Sequence, residues 1–173
     1  MYSNGFPPIA ERNARVLILG SLPGQTSLRL QQYYGQPQNA FWKIMGRLFD
    51  AEPGLPYSER TRRLIAHRVA LWDVCAAARR PGSLDASILH SSVVPNDFAA
   101  FLASHPHIRL VCFNGAKAAE LYRRTVHPHL RDTIRPIRYV ALPSTSPAHA
   151  SMTFEEKLAR WSVVQEGAGP DLE

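Results

Sequence analysis

Four short apolar runs constrain this chain more than any other feature: RVLILG (15–20), VALWDVC (69–75), IRLVCFNG (108–115) and IRYVALP (137–143). Each is hydrophobic almost throughout instead of alternating. Strands covered on both faces read this way, and such strands are usually parallel. Parallel neighbours need long crossovers, and stretches with helical spacing lie between the runs. In NAFWKIMGRLFD, residues Phe41, Met45, Leu48 and Phe49 share one stripe, with Asn39 placed to cap. YSERTRRLIAHR can start at Ser58, and PNDFAAFLASH gathers Phe98, Phe101 and Leu102 behind Asn96. GAKAAELYRRTV follows the third run directly, and TFEEKLARWSVVQ opens with Thr153 and Glu156 at capping-box spacing. The pattern predicts an α/β fold, a three-layer α/β/α sandwich around a central, mainly parallel four-stranded sheet. With 173 residues the chain makes a single domain, 1–173, its core at about 15–165 and a frayed tail at 167–173. Segment 78–95 is a long connection with turn chemistry at Pro81-Gly82.

This layout locates a site. In open α/β sheets, ligands bind beyond the carboxyl ends of the strands. The segments there are GSLPG, DVCAAARRPGS, NG and PSTSPAHA, which hold most of the chain's small, hydroxyl and amide groups. GSLPGQTS is too short between its glycines for a phosphate-binding loop and has no lysine before Thr26. The dinucleotide glycine fingerprint and the G-x-S-x-G nucleophile turn are also missing. The seven histidines are dispersed, and the two HPH triplets (105–107 and 127–129) fall in loops, so no metal or other cofactor is expected. Cys75 and Cys112 sit in apolar runs and read as reduced core thiols.

No carboxylate occurs between Glu11 and Asp50, so a hydrolase built on the first loop has no local general base. Asn39, the sole Asn between Asn13 and Asn96, is the nearest residue able to hold a water. An amide cannot take the water's proton, but it can orient the water by accepting one hydrogen bond and donating another. That suffices where the leaving group departs first, as in N-glycosidic cleavage through a cationic sugar.

GSLPG, YYGQPQNAFWKI, FNGAKAAELY and LPSTSPAHA, in this order from about Arg15 to about Trp161, resemble the uracil-DNA glycosylase superfamily. The similarity is strongest to its hypoxanthine (deoxyinosine) glycosylase branch, with the mismatch-specific uracil glycosylases as near relatives. In the latter the first motif reads G-x-N-P-G and its Asn positions the attacking water; here that position is Leu22. The hypoxanthine branch also lacks that Asn, and the resemblance assigns its catalytic role to Asn39. It further implies that Tyr34 stacks on the flipped base, that backbone groups of Ser21 and Leu22 meet the base edge, and that Asn114 reads it. Asn114 is equally placed to cap the helix that follows. Ser144, Thr145, Ser146 and His149 match the motif that enters the minor groove and pinches phosphates, though no bulky wedge stands among them. Phe41 and Trp42 read as core. Asp73 and the run at 82–88 lie on the same rim with no assigned role.

The implied activity is that of a monofunctional DNA glycosylase, acting as a monomer on double-stranded DNA with a deaminated or mismatched base. It would remove hypoxanthine, with uracil open as a second substrate. A backbone N–H aimed at the hypoxanthine carbonyl would leave adenine's amine facing a donor. Two readings stand beside it: a catalytically silent binder of damaged or single-stranded DNA, and a hydrolase of free nucleosides. The formal net charge of +6 favours a nucleic acid partner over a small molecule. The Arg62-Arg63, Arg79-Arg80 and Arg123-Arg124 doublets are either phosphate contacts or solvated helix faces. No apolar run approaches the roughly 20 residues that span a bilayer. No secretory signal is visible at the N-terminus, so the expected location is the cytoplasm, in a bacterial cell at the nucleoid.

Overall fold

A computed structural model describes residues 2–130 and 135–170. Its elements, in chain order, begin with β1 (Tyr2–Asn4), β2 (Val16–Gly20), α1 (Gln25–Leu30), α2 (Phe41–Phe49), α3 (Tyr57–Ala66) and β3 (Val69–Asp73). They continue with β4 (Cys75–Arg79), β5 (Val94–Pro95), α4 (Phe98–Ser104), β6 (Leu110–Asn114), α5 (Ala116–Thr125), β7 (Arg138–Leu142) and α6 (Phe154–Ala168). The four apolar runs form the expected sheet, in order β3-β2-β6-β7, every pairing parallel.

Alternation along buried strands divides the core. Val16 and Ile18 of β2, with Val69, Leu71, Leu110 and Cys112, pack against α2, α3 and α6. Leu17 and Leu19, with Ala70, Trp72, Val111 and Phe113, pack against α4 and α5 on the other face. This is the three-layer sandwich. Burial pushes both thiols, Cys75 and Cys112, up to about 12.

Four local expectations are corrected. The 69–75 run is not one strand: it leaves the sheet after Asp73, and Cys75 opens β4 of a second, antiparallel sheet, β1-β4-β5. A short strand of small residues, such as Cys-Ala-Ala-Ala, has no hydrophobic alternation to see in sequence. β7 is an edge strand, with Arg138 and Ala141 exposed, and is not covered on both faces. The cap of α4 is Asp97, whose side chain accepts from Ala100 N–H; Asn96 instead donates to the Asp73 carbonyl. The tail does not fray at 167: α6 runs to Ala168, which is buried, and Arg68 donates to its carbonyl. Residues 171–173 of that predicted tail lie outside the described residues. The α6 capping box is present as expected, with Thr153 and Glu156 each accepting the other's backbone N–H. Among the described residues, no helix is long and apolar enough to cross a membrane.

Candidate active site

Because the four strands run parallel, their carboxyl ends, Gly20, Asp73, Asn114 and Leu142, share one edge. A cleft of about 490 Å³ opens there. It is lined by 20–27 after β2, by 33–39 in part, by Asp73, by 83–86, by 114–117 and by 144–149. Ser21, Leu22, Tyr34, Asn39, Asn114, Ser144, Thr145, Ser146 and His149 all border it, so the structure brings every predicted site residue to one place. The volume is that of a small-molecule pocket, for which about 300–1,000 Å³ is usual.

Asn39 lies two residues before α2, on the stretch after the YYG turn. Its Oδ1 accepts Phe41 N–H at 2.9 Å, and its own N–H donates to Gln36. An N–H can be met only by the oxygen, so the amide's orientation is fixed: Nδ2 and one lone pair of Oδ1 remain for a ligand. Asn39 is therefore not the predicted cap of α2, which is Ala40 with no side-chain cap bond; its amide instead closes a turn on Phe41 N–H. The next N–H, Ala40, donates to the Thr145 carbonyl at 3.0 Å and ties this segment to the 144–149 loop.

Tyr34 adopts a left-handed backbone, φ 54°, and its ring stacks on Phe41 with centroids 4.0 Å apart and planes 25° apart. One face is thus backed by the core, and a ring arriving from the cleft has the other. Burial, with Asp73 adding repulsion, raises the phenol well above its ordinary pKa. Phe41 and Trp42 are buried core, as expected.

Asn114 and Thr145 form a reciprocal pair. Asn114 Nδ2 donates to Thr145 Oγ1 at 2.8 Å, and Thr145 N–H donates to Asn114 Oδ1 at 2.9 Å. Asn114 is no helix cap, and Thr145, 1% exposed, faces inward, away from any phosphate. The pair latches the last loop to the end of β6. In that loop Ser144 and Ser146 keep partial exposure, and each hydroxyl accepts a backbone N–H two residues on. His149 Nε2 is buried and has no hydrogen-bond partner; its carbonyl is held by the buried Lys157 of α6.

The 80–88 stretch, whose rim run at 82–88 had no assigned role in the sequence, carries residues that shape the cleft. Arg80, half of a doublet that could have been a solvated face, is buried. Its guanidinium donates to the carbonyls of Leu22, Pro23 and Gly82 and lies 3.8 Å from Asp85. It clamps the GSLPG turn, whose Leu22 side chain sits in the core, so Leu22 meets the cleft through its backbone. Ser21 Oγ donates to Asp85 at 3.1 Å, and Ser83 Oγ accepts Gln25 N–H at 2.9 Å. Between these two anchors Leu84 stands 59% exposed on the cleft's rim. A leucine amid polar residues gives no sequence signal of this kind.

Asp73 is the other addition. It ends β3 opposite Gly20 and is 4% exposed, and burial raises its carboxyl to about 7, Asp85 adding repulsion and Arg80 opposing. The first loop therefore does have a carboxylate beside it, supplied by a neighbouring strand.

Fold and cleft define an α/β protein that can take a planar ring at the carboxyl ends of a parallel sheet. The model of the Uracil DNA glycosylase superfamily matches residues 7–165, and the chain belongs to that superfamily. Membership makes it a DNA glycosylase. It is 36% identical over 165 residues to a hypoxanthine DNA glycosylase of Methanosarcina acetivorans, covering 95% of this chain and 98% of that one. A hypoxanthine DNA glycosylase of Methanosarcina barkeri is 39% identical over 121 residues, 69% of this chain and 75% of that one. A solution NMR structure described as a "putative Uracil DNA glycosylase" from Methanosarcina acetivorans superposes with TM-score 0.78 at 34% identity, covering 96% and 99% of the two chains. Both curated relatives are archaeal and lend no support to a bacterial location.

Proposed function

We propose that this glycosylase acts as a monomer on duplex DNA, flips a deaminated base into the cleft and hydrolyses its N-glycosidic bond, with hypoxanthine as its main substrate. The observation that carries this reading is the meeting of Asn39 and Tyr34 in one cleft with room for a flipped base, the amide locked in orientation and the ring backed by the core. Both well-matched relatives carry hypoxanthine in their names.

The C1′–N9 bond breaks first, its electron pair leaving with the base and the sugar becoming cationic. Asn39 then holds a water whose oxygen attacks C1′. Bonding to C1′ makes that water acidic, so its proton passes to the electron-rich departing base without a strong base on the protein. Tyr34 stacks on the base, an interaction worth about 1–3 kcal/mol. Backbone groups of Ser21 and Leu22 meet its edge, while Asn114, through Thr145, holds the loop that presents Ser144, Ser146 and His149 to the DNA backbone. Leu84, held up between two anchors, enters the stack that the base vacates, as apolar side chains do in DNA-kinking proteins. Flipping costs a few kcal/mol, less at a mispair, which favours damaged sites.

Purified protein is incubated with duplexes carrying hypoxanthine, uracil, xanthine or a G·T mispair, and abasic sites are then cleaved with alkali. Hypoxanthine duplex is expected to give product, and Asn39→Ala to abolish turnover while retaining binding. Binding with no product from any duplex would mean a silent binder; full activity of Asn39→Ala would remove that residue from catalysis.

A further inference from the structure

Among the described residues, the buried side-chain polar atoms without a hydrogen-bond partner are Tyr34 Oη, Asp73 Oδ2 and His149 Nε2. All three belong to residues that line the one cleft. Native interiors rarely leave such atoms unmatched, and each exception calls for a cause. Their gathering at one cleft points to a ligand that supplies the missing partners.

Asp73 is the most demanding of the three, because once ionised a carboxyl only accepts. The surroundings leave it clear. A Cβ on Gly20, its partner across the sheet, would lie 2.6 Å from Asp73 Oδ1 and 3.0 Å from Tyr34 Oη, so only glycine leaves that space open. Arg80, the nearest cation, spends its donors on three backbone carbonyls and pairs with Asp85. Asn96 holds the backbone carbonyl of Asp73, a residue that borders the cleft. What this acceptor lacks is an N–H.

Deamination supplies one. Adenine has a bare N1 beside its amine; hypoxanthine has N1–H beside a carbonyl. Cytosine has a bare N3; uracil has N3–H. We propose that Asp73 reads the flipped base, its carboxylate accepting the ring N–H that deamination creates in hypoxanthine and in uracil. Adenine and cytosine would set a lone pair against that oxygen. The inference rests on the base-flipping reading above and adds a residue that separates hypoxanthine from adenine and uracil from cytosine; guanine and thymine carry the same ring N–H and are refused elsewhere in the cleft. The high carboxyl pKa fits: burial disfavours the charge until a donor arrives to hold it.

The test separates reading from turnover by using duplexes whose target nucleoside carries a 2′-fluorine, which resists glycosidic cleavage. Affinities for 2′-fluoro hypoxanthine and 2′-fluoro adenine are measured in the same duplex, for wild type and for Asp73→Asn, which keeps the shape. An asparagine can turn either its oxygen or its N–H to the base. The wild-type preference for hypoxanthine is expected to shrink by about 10-fold or more, with adenine binding rising; hydrogen bonds to charged groups are worth about this much. Asp73→Leu should also lose the preference, through hypoxanthine alone. Preference unchanged in both variants, or equal loss on both bases, overturns the proposal. Turnover of unfluorinated hypoxanthine duplex by wild type is scored separately and bears on the glycosylase reading, not on Asp73.

Discussion

Replacing Asp73 with Asn should stabilise the folded protein at alkaline pH, although it damages the site. The carboxyl, ordinarily near 3.8, stands at about 7 because burial penalises its charge. At about 1.36 kcal/mol per unit, the shift of roughly three units corresponds to about 4 kcal/mol of destabilisation once the group is ionised in the folded state. The sign follows from proton counting. Between about pH 4 and 7 the folded protein holds a proton there that the unfolded chain does not, so stability falls as pH rises through that window and levels off above it. An asparagine removes the charge but must itself be satisfied, which offsets about 1–3 kcal/mol. The net gain expected at pH 8 is about 1–3 kcal/mol, or roughly 3–10 °C in Tm for a chain of this size. Thermal unfolding of both proteins between pH 4 and 8 measures it. Asp85, also raised by burial, loses a repelling neighbour in the variant, which works in the same direction as the expected gain. A variant whose Tm at pH 8 is no higher than wild type, with the same dependence on pH, would refute the assignment of a strained buried charge.

Arg80→Met should cost about 3 kcal/mol or more in urea unfolding, because it strips the carbonyls of the buried Leu22 and Pro23, and of Gly82, of a common donor and removes the guanidinium beside Asp85. Excision should fall with it, since the GSLPG turn loses its clamp. Leu84→Gly should leave Tm nearly unchanged, as the side chain is exposed, yet slow excision from paired duplex about 10-fold while sparing a single-stranded oligonucleotide, where no stack needs filling.

The parallel sheet and its helices were legible because buried parallel strands are apolar without interruption, and Thr153 with Glu156 announces a helix start unaided. The cleft's position followed from strand direction alone. Asn39 and Tyr34 were legible through motif order. What stayed hidden has a common cause: it depends on residues that the sequence separates. Asp73 and Gly20 are 53 positions apart and meet through strand register. Arg80 looks like any surface arginine until the turn it clamps is folded over it. Thr145 reads as a phosphate donor because its inward partner, Asn114, lies on another strand's end. The antiparallel β1-β4-β5 sheet escaped because its strands are two to five residues long and the longest, β4, is mostly alanine.

The separation of Asn39 from Asp73 bears on how the work divides. A base leaving with the electron pair of its glycosidic bond becomes electron-rich, and an anion against its ring N–H then holds it less well. Asp73 therefore stabilises the flipped ground state more than the transition state. Such binding raises selectivity and affinity without speeding the chemical step. Asn39 is neutral, so it can orient water beside a cationic sugar and leave that water's proton to the departing base. The two losses should accordingly look different. Asn39→Ala lowers single-turnover rate with binding intact, whereas Asp73→Asn shifts affinity between bases with a smaller change in the hypoxanthine rate. Had one carboxylate served both purposes, reading and chemistry would be bound to the same protonation state. With an amide at the sugar and a buried acid at the base, only selectivity titrates near neutral pH.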